Sequence, residues 1–132
     1  IEKALAIAVD NIASDTEHLT NLKSYFISEL KSNFQDVDFN GNSSSLTKSS
    51  YTILSTRFSN ANEMLLFTLD LNGIAVSGGS ACQSGSSKGS HVLDEILSRK
   101  EADDISVRFS FSKYTTEKDI DFTLEKLKEL LK

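Results

Sequence analysis

The sequence predicts an α+β fold: a small, mostly antiparallel sheet with helices packed on it. Three observations point there. Some stretches repeat apolar residues at helical steps of three and four, others alternate apolar and polar residues as half-buried strands do, and the two kinds are interspersed along the chain. A length of 132 residues suits one hydrophobic core, so a single domain over residues 1–132 is expected.

Ile1, Leu5, Ala8, Ile12, Leu19, Leu22, Phe26 and Leu30 mark the core-facing side of one long helix that reaches about Phe34. In "DVDFNGN", Val37 and Phe39 alternate with polar neighbours, which predicts a short strand closing in a turn at Asn40-Gly41. "SSSLTKSS" reads as a loop. "YTILSTRF", Tyr51 to Phe58, is rich in strand formers and apolar at Ile53 and Leu54. Asn60 and Glu63 have the spacing of a capping box for a helix through Met64, Leu65 and Leu69, and Asn72-Gly73 stops it. "IAV", Ile74 to Val76, reads as a short strand. "SHVLDEILSR" predicts a helix capped by Ser90, with Val92, Leu93, Ile96 and Leu97 inward. "DISVRFSF" alternates Ile105, Val107, Phe109 and Phe111 with polar residues, the period of a half-buried strand. Thr116 and Asp119 cap a last helix with Ile120, Leu124, Leu127 and Leu131 on one face.

Composition narrows the function classes. The formal charge is −5 and the basic residues are scattered, which argues against a nucleic-acid or anionic-membrane surface. No apolar run approaches the roughly 20 residues that span a bilayer. No charged segment followed by an apolar one opens the chain, so no signal peptide is expected. A single cysteine excludes an internal disulfide and a multi-thiolate metal site, and makes a reducing, cytoplasmic location the default. The chain opens on Ile1, inside a helical pattern and without an initiator methionine, which predicts a piece of something larger.

That one cysteine, Cys82, lies where ten of the fourteen residues from Ser77 to Ser90 are serine or glycine. A thiol does chemistry as a thiolate with access to its target. The composition of residues 77–90 predicts a mobile loop that gives such access but does not pre-organise a nucleophile. No histidine adjoins Cys82, and Lys88 reads as a solvated loop lysine. Two other readings stay open from composition alone: a lone cysteine as a small buried hydrophobe, and a glycine- and serine-rich segment binding phosphate at a helix start. The P-loop spacing itself is absent.

"SGGSACQSGS", then "SHVL", then "SVRFSFSKYTTEKDID" together resemble the C-terminal part of cysteine desulfurases of the NifS/IscS type, pyridoxal-phosphate enzymes of the class V aminotransferase fold. The three motifs stand in the family's order and at compatible spacing, and the resemblance covers nearly the whole chain. It implies that Cys82 is the nucleophile that becomes a persulfide. It implies that Arg108 binds the α-carboxylate of substrate L-cysteine, a role for which a planar guanidinium is suited. It further implies a homodimeric full-length enzyme that releases L-alanine and passes sulfur to an acceptor protein, for iron–sulfur clusters or thio-cofactors. The alternative for Arg108 is an exposed strand residue in a surface ion pair.

The family's cofactor lysine and ring-stacking histidine belong to a preceding domain, and nothing here matches them. The chain alone is therefore expected to hold no pyridoxal phosphate, to have no cofactor-binding or metal-binding residues, and to be inactive. His18 and His91 read as surface or packing residues. Gly89 stands where many members have proline, Ser112-Lys113 replaces a common Gly-Arg, and "SYTILS" lacks the usual Pro-Asn approach. Two rival functions fit the same motifs: a non-catalytic sulfur carrier or interaction module, and a selenocysteine lyase.

Overall fold

The absence of glycine and proline before Gly41 lets one helix, α1 (Glu2–Asn33), run for 32 residues. The computed structural model describes residues 1–78 and 91–131. Cys82, Lys88, the Ser90 helix cap and most of the predicted 77–90 loop therefore lie outside the described residues.

Helix α1 buries Leu19, Leu22, Lys23, Phe26, Ile27 and Leu30, a stripe at steps of three and four. Its first half is different. Ile1, Leu5, Ala8 and Ile12, expected to face the core, are exposed, with Leu5 at 63% and Ile12 at 59%. Length explains this correction. At 1.5 Å per residue, the 32 residues of α1 span about 48 Å. The six-residue strands beneath it span only about 20 Å. The sheet reaches under the second half of α1 and no further.

Among the described residues the sheet has three strands, β1 (Val37–Phe39), β2 (Ile53–Phe58) and β3 (Ile105–Ser110), in the order β1-β2-β3. Both pairings are antiparallel, as expected. The register sets Leu54 opposite Phe109 and Thr56 opposite Val107, so these four share the face turned to α1 and to the last helix, α5 (Glu117–Leu130). The ring of Phe26 meets Phe109 and Phe111 edge-on at 5.0 and 6.1 Å, and Leu30, Ile120, Leu124 and Leu127 complete this core. Tyr25 Oη donates to Asp121 Oδ1 at 2.6 Å and ties α1 to α5.

Among the described residues between α1 and α5 lie three short helices, α2 (Leu65–Leu71), α3 (His91–Ile96) and α4 (Arg99–Ala102). The expected capping box at Asn60 and Glu63 does not form: Asn60 Nδ2 instead donates to the Leu131 carbonyl at 3.1 Å, and Asn62 Oδ1 takes the Met64 amide at 2.9 Å. The single helix expected from "SHVLDEILSR" is two, because Ser98 and Glu101 form a capping box that starts α4. Val92 and Ile96, expected inward, are exposed, while Leu93 and Leu97 are half-buried. Thr116 and Asp119 do cap α5, and the Thr116 hydroxyl, then its amide, hold the Asp119 carboxyl below its ordinary pKa. Ile120, Leu124 and Leu127 are buried there, and Leu131 is half-buried.

The other face of the sheet is polar. Arg57 is only 6% exposed and gathers three carboxylates: Asp38 and Glu101 pair with Nη2, and Asp104 stands 3.5 Å from Nε. Its Nη1 donates to Asn40 Oδ1 at 3.4 Å, and the Asn40 amide donates in turn to Ser55 Oγ and Ser106 Oγ. Removing one member of a buried ion pair costs about 3 kcal/mol at the lower end, the end that applies where the acids reach water. Arg57→Met should therefore lower stability by about 3 kcal/mol in urea titrations, and Arg57→Lys should recover only part of it, because a single ammonium nitrogen cannot span the partners that Nη1, Nη2 and Nε reach from separate positions.

The Asp121 hydrogen bond, with desolvation and nearby carboxylates behind it, pushes the Tyr25 phenol from 10.0 up to about 12. The phenol thus keeps its proton longer in the folded chain than in the unfolded one. Its share of stability is complete below pH 10.0 and disappears as pH climbs to about 12. In Tyr25→Phe the phenolate that appears at about pH 12 in an alkaline absorbance titration should vanish, together with that part of the alkaline loss of stability.

Candidate functional site

The site candidates lie on the free edge of β3 and in the chain that runs past it. Helix α2 ends in a Schellman motif: the Ile74 amide bonds the Leu69 carbonyl, and the Gly73 amide bonds the Asp70 carbonyl, each at 2.9 Å. Gly73 holds φ at +81°, the left-handed conformation this ending needs. The chain reverses there and passes along β3.

Ile74 to Val76, expected as a short strand, is not one. The pairing is a single bridge between Ser77 and Arg108. The amides of Val107 and Phe109 serve the ladder with β2, so those of Arg108 point outward. The Arg108 amide donates to the Ser77 carbonyl at 2.6 Å, and the Ser77 amide donates to the Arg108 carbonyl at 3.2 Å. One residue on, the chain passes so close to its neighbours that a Cβ on Gly78 would stand 2.5 Å from Leu66 Cδ2 and 3.3 Å from the Ser106 carbonyl. Only glycine fits that gap unless Leu66 moves.

Arg108 lies in β3 on the polar face, opposite Ser55, and its side chain is exposed. It makes no ion pair among the described residues; its hydrogen bond there runs from Nε to Ser77 Oγ at 3.1 Å. The surface ion pair that was the alternative reading of Arg108 is thus not formed among them. Cys82, the other predicted site residue, lies outside the described residues.

The histidines divide similarly. His18 Nε2 stands 3.0 Å from the Thr115 carbonyl, so it carries the proton and joins α1 to the turn before α5, a packing role. The side chain of His91 lies outside the described residues.

Sequence reading missed Lys23, which is fully buried, with Nζ donating to Ser49 Oγ and to the Ser50 carbonyl, both at 2.7 Å. Burial pulls its pKa below 10.5. Its position in the inward stripe of α1 was the available signal. It also missed the link from Ser77 to Arg108, which no local pattern announces.

An open groove of about 200 Å³ lies beside Ala75 and Val76 and is walled by Phe109, Phe111 and Phe122. Its charged lining residue is Asp119, whose lowered pKa keeps it anionic. A phosphate-bearing cofactor does not fit a groove with that charge, and Lys23, already bonded twice, offers no free amine. Among the described residues no group of three or more His, Cys, Asp or Glu is placed to hold a metal ion, and no helix is long and apolar enough to cross a membrane.

Comparison with known proteins matches the family model "Aminotransferase class-V" to residues 2–122. The chain is 37% identical over 132 residues to the cysteine desulfurase IscS of Dictyoglomus turgidum, covering 98% of this chain and 32% of that protein. It is 35% identical over 130 residues to the cysteine desulfurase IscS of Clostridium botulinum, covering 98% of this chain and 33% of that one. The solved structure of a NifS-like protein superposes with a TM-score of 0.77 at 29% identity, over 98% of this chain and 31% of that one. A NifS-like protein from Rickettsia africae, at 24% identity, 95% and 31% coverage and a TM-score of 0.72, shares the fold. The chain thus spans about a third of the length of the curated relatives it matches. It belongs to the class V aminotransferase family and is homologous to cysteine desulfurases of the IscS type.

Proposed function

We propose that this chain is the C-terminal domain of a pyridoxal-phosphate-dependent cysteine desulfurase. In this reading residues 1–132 form one domain, and a longer, cytoplasmic, homodimeric enzyme converts L-cysteine to L-alanine and an enzyme-bound persulfide. The persulfide supplies an acceptor protein serving iron–sulfur clusters or thio-cofactors. The observation that carries the reading is the place of Arg108: an exposed guanidinium on the polar face, one bridge away from the start of the segment that bears Cys82.

Each residue then has a chemical task. Arg108 takes the α-carboxylate of L-cysteine through charge-assisted hydrogen bonds. The Cys82 thiolate attacks the substrate sulfur, so a sulfur–sulfur bond forms and the substrate carbon–sulfur bond breaks. The bonding pair leaves on carbon, which takes up a proton, and the products are L-alanine and a Cys82 persulfide. The segment 77–90, rich in serine and glycine, then carries that sulfur to the acceptor. In the complete enzyme, pyridoxal phosphate would supply the electron sink that makes the substrate carbon–sulfur bond labile. Neither the groove beside Asp119 nor the Lys23 amine fits that cofactor, so its seat is assigned to the part of the relatives' length that this chain does not span.

The test is made in the complete enzyme. Cys82→Ser should abolish sulfide and persulfide formation from L-cysteine. Arg108→Gln should raise KM for L-cysteine at least ten-fold, the loss expected for one charge-assisted pair of about 1.5–3 kcal/mol. A Cys82→Ser enzyme that still releases sulfide at the wild-type rate would sink the reading. Faster turnover of selenocysteine than of cysteine, independent of Cys82, would instead favour the lyase.

A further inference from the structure

We infer that Ser77 is a positioning residue for Arg108, and that it leaves the end of the guanidinium, Nη1 and Nη2, as the edge offered to a carboxylate. The inference rests on the function proposed above and deepens it. Two kinds of bond carry it. The backbones of Ser77 and Arg108 exchange both of their N–H···O=C bonds, which fixes the two Cα atoms relative to each other. The Ser77 hydroxyl then accepts the Arg108 Nε–H at 3.1 Å.

A guanidinium can grip a carboxylate in two ways: side-on, through Nε and one Nη, or end-on, through both Nη atoms. The Ser77 hydroxyl occupies the Nε–H, so the side-on grip is closed and the end-on grip remains. Among the described residues nothing else bonds the Arg108 side chain. The same bond removes rotamer freedom from a long side chain before ligand arrives, which lowers the cost of binding.

Ser77 also begins the segment that leads to Cys82, and Gly78, wedged against Leu66 and the Ser106 carbonyl, follows it at once. One residue therefore ties the carboxylate-binding group to the root of the nucleophile's segment. Among the described residues the Ser77 hydroxyl bonds Arg108 alone, and the backbone bridge needs no side chain.

The complete enzyme is compared as wild type, Ser77→Ala, Ser77→Thr and Ser77→Val, with Arg108→Gln as reference. Ser77→Ala should raise KM for L-cysteine about five-fold with kcat within two-fold, the effect of losing one ordinary hydrogen bond. Calorimetric titration with L-alanine, which has the same carboxylate and does not react, should weaken by the same factor. Ser77→Thr should restore both values, and its isostere Ser77→Val should not. That pair keeps the test valid if the alanine variant melts early. If Arg108→Gln raises KM while Ser77→Ala and Ser77→Val leave KM and alanine affinity unchanged, this inference is overturned and the proposed function stands. If Ser77→Ala lowers kcat alone, Ser77 acts on the cysteine segment rather than on Arg108, and the inference is again overturned. If Arg108→Gln itself changes neither quantity, the assignment of Arg108 fails and takes this one with it.

Discussion

The two-residue period of β3 is the constraint on which the rest of the structure depends. Val107 and Phe109 point into the core, so Ser106, Arg108 and Ser110 must point the other way. A slip of one residue would bury the guanidinium of Arg108 and expose two core side chains. The register with β2 resists such a slip, since Leu54 and Thr56 are matched to Phe109 and Val107 and are themselves fully buried. Hydrophobic burial on one face thereby dictates which chemistry stands on the other. Arg108 owes its place to the phenylalanine beside it as much as to its own charge.

Arg57 secures the polar face in a different way. Its three acids come from β1, from α4 and from the turn before β3, so one guanidinium joins pieces far apart in the chain. Its Nε lacks a well-aligned acceptor, and Asp104 compensates only as a charge nearby. Glu101 serves twice. The Ser98 amide and hydroxyl, and then Arg57, hold its carboxyl below the ordinary pKa, so the capping of α4 and the ion pair favour the same charged state. The serine hydroxyls of Ser55 and Ser106 are bridged by Asn40, which also accepts from Arg57. This network abuts the position of Arg108 without involving it. The sheet beside Arg108 is thus cross-linked by this network, while the side chain of Arg108 bonds Ser77 alone among the described residues.

Much of this architecture was legible in the sequence, for reasons that differ by element. Helices α1 and α5 and strand β3 are carried by strong periodicities, which report the facing of side chains directly, and β2 by its run of strand-forming residues. The capping box at Thr116 and Asp119 was readable because its partners lie three residues apart. Periodicity does not say how far the covering layer extends, and so it missed that Leu5 and Ile12 outrun the sheet. The box expected at Asn60 failed because a distant carbonyl, that of Leu131, claims the same side chain. The hub at Arg57 and the bond from Ser77 to Arg108 join residues whose separation in the chain hides them from any local pattern. Arg108 as a site residue was legible only through a resemblance spread over three motifs. Cys82, found the same way, lies outside the described residues.

The burial of Lys23 has a chemical consequence. Its amine is sealed beneath Ser49 and Ser50, and its lowered pKa leaves more of it unprotonated than an ordinary lysine at the same pH. Acylating reagents attack unprotonated amines, yet none can touch this one while the residues over it stay in place. Its modification would then record how often that cover lifts, turning a structural lysine into a built-in gauge of local opening.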